Sequence, residues 1–392
     1  MEEHLIHKFS QKLLQGSVFP YFKKYLDWRS GLKSDSGDYF PMSINLDLIT
    51  SCTFRCPHCI DQRVTNTGKM LDLQYVRTFL RDWSKKGLKS VILIGGGEPT
   101  LYPYFEDVVK LLKILSLQVG IVSNGTNLKK IENICHLLGK KDWVRLSIDA
   151  GNNETFQKIH HPQIKITLEA IAAGAQKISQ KNPALQLGYS FLIIGDDKKA
   201  GGVRLEKNIG EIVLAAKLAK ESGFSYLSLK PFLDPTASSR GATINKRNLQ
   251  EITIAVKEAK KLEDKNFKVV ESNNLLCFYD KNLKQLMQNK SKICHTQFFH
   301  SVVSPIGIYN CPSWRGFPRS KITDADHKDA TQYYQQFQQN RQKMVDDFPA
   351  GKICKNATCL HASLNRWIED LVRCPNKIKK LKPIDDFEDY FL

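Results

Sequence analysis

No apolar run in this 392-residue chain approaches the ~18 residues that a bilayer-crossing helix needs, so no segment reads as a membrane span. The opening residues, MEEHLIHKFSQKLL, begin with acids and hold no continuous apolar stretch. They do not read as a secretory signal, and the cytoplasm is the expected compartment. Repeats and low-complexity linkers are missing as well. The basic residues form no long arm: the lysines are scattered, with short runs such as Lys198-Lys199 and Lys379-Lys380. No zinc-finger or RNA-binding signature accompanies them, which leaves a zinc-bound nucleic-acid-binding protein as a distant alternative and nucleic acid as an unexpected partner.

What is present is charge and thiol. Lys and Arg number 58 against 40 Asp and Glu, a net charge of +18 that points to an anionic partner, with a Lys-rich solvated surface as the plainer alternative. Ten cysteines in a reducing compartment are metal ligands or buried thiols before they are disulfides. The 42% hydrophobic content suffices for a well-buried core.

From Ile44 onward, short apolar runs alternate with helical patterns. Strands are expected at Ser43–Ile49, Ser90–Ile94, Gln118–Val122, Trp143–Ile148, Leu185–Ile194 and Tyr226–Lys230. Apolar residues at three-to-four spacing predict helices over Leu71–Ser84, Phe105–Leu115, Leu128–Leu138, Ile166–Ser179 and Lys207–Ser222. Six strands alternating with helices imply parallel β/α units that close partly into a barrel, with the site at the C-terminal strand ends. The polar, turn-rich stretch LDPTASSRGATINKRN reads as a boundary, followed by a helix near Leu249–Leu262 and an irregular Cys-rich region. Three parts are expected: an N-terminal extension or lid (1–42), an α/β core (43–248) and a smaller C-terminal α+β domain (249–392). The aromatic group Phe19, Tyr21, Phe22, Tyr25 and Trp28 in the extension is expected to pack into a core.

The strongest local signal is SINLDLITSCTFRCPHCID, where Cys52, Cys56 and Cys59 form C-x3-C-x2-C directly after an apolar strand. Three thiolates on one loop can hold three irons of a cubane and leave the fourth open to a small chelating molecule. Zinc, with His58 recruited as a fourth ligand, is the rival. The second strand ends in Gly95-Gly96-Gly97-Glu98-Pro99, where glycines admit close approach of a ligand and Glu98 can face an ammonium group. No Gly-Lys-Ser/Thr follows, so a P-loop is excluded.

A Cys triad after the first strand with GGGEP after the second resembles the radical S-adenosylmethionine (SAM) superfamily. The resemblance implies a partial (β/α)6 barrel and a [4Fe–4S] cluster held by Cys52, Cys56 and Cys59. SAM would chelate the open iron and be cleaved reductively to a 5′-deoxyadenosyl radical that takes a hydrogen atom from the substrate. Gly96, Gly97 and Glu98 would hold the methionine amino group, and His58 stands where the family places an aromatic near the adenine. Ser123 and Asn124, at the end of the third strand, face the expected SAM pocket. Ser147 and Asp149 resemble the S-x-D pattern that binds ribose or carboxylate, with a helix cap as the alternative for Asp149. Ile194 and Gly195 could pack on adenine. An external one-electron donor, such as flavodoxin or ferredoxin, is implied.

The C-terminal region supplies Cys294 and Cys311, bracketing an apolar run with a hairpin turn expected at Ser304–Gly307, and Cys354 and Cys359 just before a helix. A hairpin pair plus a helix-proximal pair resembles the twitch domain, a short form of SPASM, which carries an auxiliary [4Fe–4S] cluster. Zinc on four thiolates is the structural rival, and Cys374 could replace one member. Cys135 is expected to be a buried thiol, and Cys277 either a buried thiol or a hydrogen donor to a substrate radical. The resemblance to single-auxiliary-cluster enzymes, such as an aminocyclitol dehydrogenase, implies two-electron oxidation of an alcohol or amine on a small polar molecule, which the basic charge would favour as an anionic metabolite, with Lys230, Tyr189 and Arg315 as substrate-side candidates. The alternative is a maturase that cross-links, epimerises or oxidises a ribosomally made peptide.

Overall fold

The computed structural model describes residues 8–34, 41–234, 242–288, 291–324, 330–354 and 359–392. The strands in chain order are β1 (Ser43–Leu46), β2 (Ser90–Leu93), β3 (Gln118–Ser123), β4 (Trp143–Ser147), β5 (Gln186–Ile193), β6 (Lys199–Ala200), β7 (Val203–Arg204), β8 (Tyr226–Pro231), β9 (Lys268–Glu271), β10 (His300–Ser304), β11 (Gly307–Tyr309) and β12 (Lys321–Thr323). Ten of them form one sheet in the order β12-β11-β10-β1-β2-β3-β4-β5-β8-β9, while β6 and β7 pair as a separate short hairpin. From β10 through β9 every pairing is parallel; β11 and β12 continue antiparallel beyond β10.

The six expected strands are all present, and helices separate them. The helix Leu73–Lys85 shows the logic. The Asp72 side chain accepts from the Gln74 and Tyr75 amides at its start, and Val76, Phe79, Leu80 and Trp83 bury one face. Asn152, Thr167 and Asn245 cap the helices Asn153–His160, Leu168–Lys181 and Lys246–Lys260 in the same way. One helix departs from expectation. The pattern over Lys207–Ser222 becomes an α-helix only at Ile212, because the Asn208 side chain is spent on the loops at the site. It donates to the Asp149 and Leu192 carbonyls and accepts from the Ile194 amide. Much of the expected boundary stretch, 235–241, lies outside the described residues. Past it, the helix Lys246–Lys260 and β9 extend the parallel sheet by one more unit.

Two apolar cores result. The large one joins the helix-facing residues of the strands, such as Ile44, Leu46, Val144, Leu146, Tyr189, Leu227 and Leu229, to the surrounding helices. The second gathers Phe9, Leu13, Phe22, Tyr25 and Leu26 of the N-terminal helices with Phe298, Phe299, Leu364, Ile368 and Leu371 of the C-terminal region. The chain's last residues run under the N-terminal ends of β1 to β4. Ser90 Oγ donates to the Tyr390 carbonyl (2.8 Å), Gln118 Nε2 to the Glu388 carbonyl (2.5 Å) and the Leu392 amide to Ser43 Oγ (3.3 Å). Phe391 meets Trp143 edge to face. This segment closes the end of the sheet opposite the cysteine loop.

Candidate active site

The site lies where the parallel strands end. The loop after β1 carries Cys52, Cys56 and Cys59. It is held from below by Asn66, whose side chain accepts from the Cys52 amide (2.9 Å). It is held from the side by the Arg55 amide, which donates to the His160 carbonyl (3.1 Å). The glycine loop after β2 is sewn to it by the Glu98 amide donating to the Ser51 carbonyl (2.8 Å). Gly97 must be glycine. A Cβ there would lie 2.2 Å from the Ser51 carbonyl oxygen and 2.5 Å from the Thr50 carbonyl carbon, both backbone atoms that cannot yield.

The three cysteine sulfurs share one neighbourhood, since the charges of Cys52 and Cys59 act on Cys56. Burial first, then these like charges, pushes the Cys56 thiol well up, and burial pushes Cys59 up to about 12. Thiols so disposed ionise only with a cation between them, which is the chemistry of a metal or iron–sulfur site. Cys56 Sγ also lies within 4.8 Å of ring nitrogens of His58 and His160. These imidazoles are only partly committed elsewhere, since His58 Nδ1 is buried with no hydrogen-bond partner among the described residues. His160 contacts Cys56 Sγ through Nδ1 (3.2 Å) and the Ile148 carbonyl through Nε2 (2.7 Å), and His58 Nε2 faces Asp149 (3.4 Å). Three thiols on one loop suit a cubane with an open corner, and the His58 and His160 nitrogens stand beside Cys56 as further donors.

Glu98 is fully committed. Its carboxylate accepts from Thr100 Oγ1 (2.6 Å), the Thr100 amide (3.1 Å), Ser123 Oγ (2.8 Å) and the Asn124 amide (2.7 Å). Burial raises its pKa, and these donors oppose the rise. Ser123 and Asn124 therefore meet Glu98, and the Asn124 amide group also reaches Cys52 Sγ (3.7 Å) and Thr53 Oγ1 (3.2 Å). Asp149 is no helix cap; Asn152 fills that place. It adopts φ 56°, a left-handed backbone, and turns its carboxylate to the Leu192 amide (2.6 Å), His58 and His160. Burial would raise it, but the hydrogen bond from His58 and the charges of both imidazoles hold it below the usual carboxylate range. Ser147 ends β4 beside Ser190. Ile194 is fully buried against Ile159, Leu205 and Phe232. His160 had no sequence signal: it sits on an ordinary amphipathic helix 104 residues from Cys56.

In the C-terminal region the turn after β10 falls at the expected place, with Gly307 at φ +139°. Cys294, Cys311 and Cys354 pack in one small apolar cluster, and Cys359 lies close enough for its charge to act on Cys294 and Cys311. Burial, then the charges of Cys359, Cys311 and Cys354, raises Cys294, and Cys311 is pushed to about 12 by burial, Cys359 and Cys354. Cys374 is exposed at the far end of the helix Ala362–Arg373. Cys277 packs with Cys359 and Ala362, and Cys135 is buried in the large core. All ten cysteines are thiols. The two cysteine groups are joined by Arg315, four residues after Cys311. Its Nε lies 2.6 Å from Asp47 and its Nη1 2.6 Å from Asp61, two residues after Cys59. Arg315 is therefore a buried tie between loops. Tyr189 likewise turns to the helix side, against Phe224 and the Ala150 carbonyl.

The family model of the Radical SAM superfamily matches residues 46–195. Over 109 residues the chain is 35% identical to an S-adenosylmethionine-dependent nucleotide dehydratase of a Thermoplasmatales archaeon, covering 28% of this chain and 38% of that one. Over 183 residues it is 24% identical to the putative peptide biosynthesis protein YydG of Bacillus subtilis, covering 46% and 53%. The chain thus spans between about two fifths and half the length of these relatives. The fold matches that of Streptococcus suis SuiB bound to S-adenosylmethionine with a TM-score of 0.58 at 16% identity, over 89% of this chain and 77% of SuiB. The matched stretch begins at the end of β1 and ends just past β5, so it contains the thiol loop, the glycine loop and Asp149, and it makes this part of the chain a radical SAM domain, a family that uses a [4Fe–4S] cluster and S-adenosylmethionine.

Proposed function

We propose that this enzyme carries out a net two-electron oxidation of a small, polar, anionic metabolite, using a second cluster held by Cys294, Cys311, Cys354 and Cys359. The proximity of these four half-buried thiols, whose charges act on one another, supports the reading. The bound groups supply one-electron cleavage of SAM, hydrogen-atom abstraction from the substrate, and an acceptor for the substrate's remaining electron. The protein's share is binding, orientation and exclusion of water.

Cys52, Cys56 and Cys59 would hold the SAM cluster. Because the Glu98 carboxylate is saturated, it shapes the loop, and the backbone carbonyls at Gly96 and Gly97 are the groups that would meet the methionine ammonium. Asp149, fixed at the end of β4 by the Leu192 amide, would accept from ribose hydroxyls, with His58 beside it. The nucleotide named for the archaeal relative supports an anionic substrate.

The test is anaerobic incubation of reconstituted enzyme with SAM, dithionite and panels of phosphorylated and carboxylated metabolites. Production of 5′-deoxyadenosine matched one to one by a product two hydrogens lighter supports the reading. A product of unchanged mass, or a modified peptide, overturns it.

A further inference from the structure

Alternate residues of β4, β5 and β8 bury their side chains among the helices; the residues between them form the sheet's other face. On that inner face the register sets Arg145 beside Gly188 and Tyr226, then Ser147 beside Ser190 and Ser228, then Leu192 beside Lys230. The glycine positions confirm which way these side chains point. A Cβ at Gly120 would strike the Trp143 ring at 2.4 Å, and one at Gly188 the Tyr226 ring at 2.2 Å. The inner face is therefore layered: the Trp143 ring low down, then Arg145 at the level of Tyr226, then serines, then Lys230, with Asp149 beyond.

The middle of this stack is cationic and poorly compensated. The Nε of Arg145 is buried with no hydrogen-bond partner among the described residues, and its guanidinium lies 5.4 Å from the Trp143 ring. Lys230 makes one long contact, to Ser190 Oγ at 3.4 Å. Burial brings its ammonium down to about 7; the charge of Arg145 pushes the same way and that of Asp149 against. Asp149, the carboxylate nearest to hand, is already shared among His58, His160 and the Leu192 amide. Two half-buried cations on one face, with no carboxylate of their own among the described residues, are costly unless an anion completes them.

We propose that Arg145 and Lys230 form an anion-recognition pair on the inner face of the barrel, taking a phosphate or carboxylate group of the substrate. This rests on the reading above that the barrel takes a small anionic substrate, and it names the residues that select it. Arg145 supplies a planar fork suited to two oxygens and Lys230 a point charge, with Ser190 and Ser228 between them as hydroxyl donors. An anion anchored there leaves the rest of the substrate directed toward the strand ends, where Asp149 and the cysteine loop stand.

The test uses the full chain, reconstituted anaerobically and saturated with SAM. Inorganic pyrophosphate and malonate are titrated by calorimetry into wild type, Arg145→Met, Lys230→Gln and the double variant. We expect single-site binding of one of the two anions, at least tenfold weaker in the double variant and intermediate in each single one. Cluster absorbance near 400 nm and SAM affinity should be unchanged. Preference for pyrophosphate assigns a phosphorylated substrate, preference for malonate a carboxylated one. Lys230→Gln keeps the Ser190 contact, so it reads the charge even if the double variant fails to fold. Equal anion binding by wild type and Lys230→Gln overturns the proposal. So does a loss of SAM affinity equal to the loss of anion affinity, which would assign the pair to SAM's own carboxylate. The oxidation reading fails separately, when product mass shows no loss of hydrogen although the anion binds.

Discussion

Arg315→Met is the most informative single change outside the cofactor loops. Its side chain is 3% exposed and its two carboxylate partners, Asp47 and Asp61, are 1% and 11% exposed. Methionine keeps the stem and removes the cation bridging them. Breaking a buried ion pair from one side costs ~3–5 kcal/mol, because the partner charges stay behind. The loss should depend on pH in a defined way. Burial raises Asp47 to about 7, and Arg315 restrains it from going higher. Its folded pKa thus exceeds its unfolded value of ~3.9. The stability tied to that proton is complete below the unfolded value and is lost as pH rises to the folded one. Without Arg315 the folded value climbs further. Between pH 4 and 7 both proteins lose stability in parallel; above 7 wild type stops losing and the variant continues, by ~1.4 kcal/mol per pH unit. Urea unfolding of the metal-free protein at pH 6, 7 and 8, without oxygen, reads this directly. A deficit that stays flat from pH 6 to 8, or no deficit at all, refutes the reasoning.

Three further outcomes are expected. Cys311→Ala should lower bound iron from about eight to about four per chain while 5′-deoxyadenosine still forms, and Cys56→Ala should abolish that cleavage; iron analysis with chromatography checks both. Gly97→Ala should cost ~3 kcal/mol and prevent reconstitution of the SAM cluster, since its methyl meets the Ser51 carbonyl, as thermal unfolding and cluster absorbance will show. Deletion of 386–392 should lower stability by ~3 kcal/mol, because Ser90 and Gln118 lose their partners, and should raise SAM cleavage uncoupled from product as water enters from below.

The barrel was legible because each of its strands is a short apolar run flanked by turn residues, and because chemistry clusters at strand ends, where thiols and glycines follow β1 and β2 directly. β9 was not: KVVE is four residues long and gains its place only by pairing with β8. Arg315 looked like a substrate group because its partners lie more than 250 residues earlier. The cationic layer was hidden for a different reason. Parallel strands are covered on both faces, so WVRLS and YLSLKP show polar and apolar residues without saying which face is the lumen. Lys230 stands among the substrate-side candidates of the sequence; Arg145 does not, because its meaning depends on register with strands about 40 and 80 residues away.

That register also explains why charge can sit inside this protein at all. The helix side of β4, β5 and β8 is packed with Val144, Leu146, Leu187, Phe191, Leu227 and Leu229, and a cation placed there would face only hydrocarbon. The inner side has serines at hand, and the C-terminal segment closes it below through Phe391 on Trp143. The C-terminal segment lies below this face, the cations stand in its middle, and the thiols and Asp149 lie at the strand ends above. A substrate held by its anion on the proposed Arg145–Lys230 pair would turn its uncharged carbons, and not its anionic group, toward the strand ends. Orientation by charge at the far end leaves the reacting end free of hydrogen-bonding groups, which is what abstraction from an unactivated C–H bond requires.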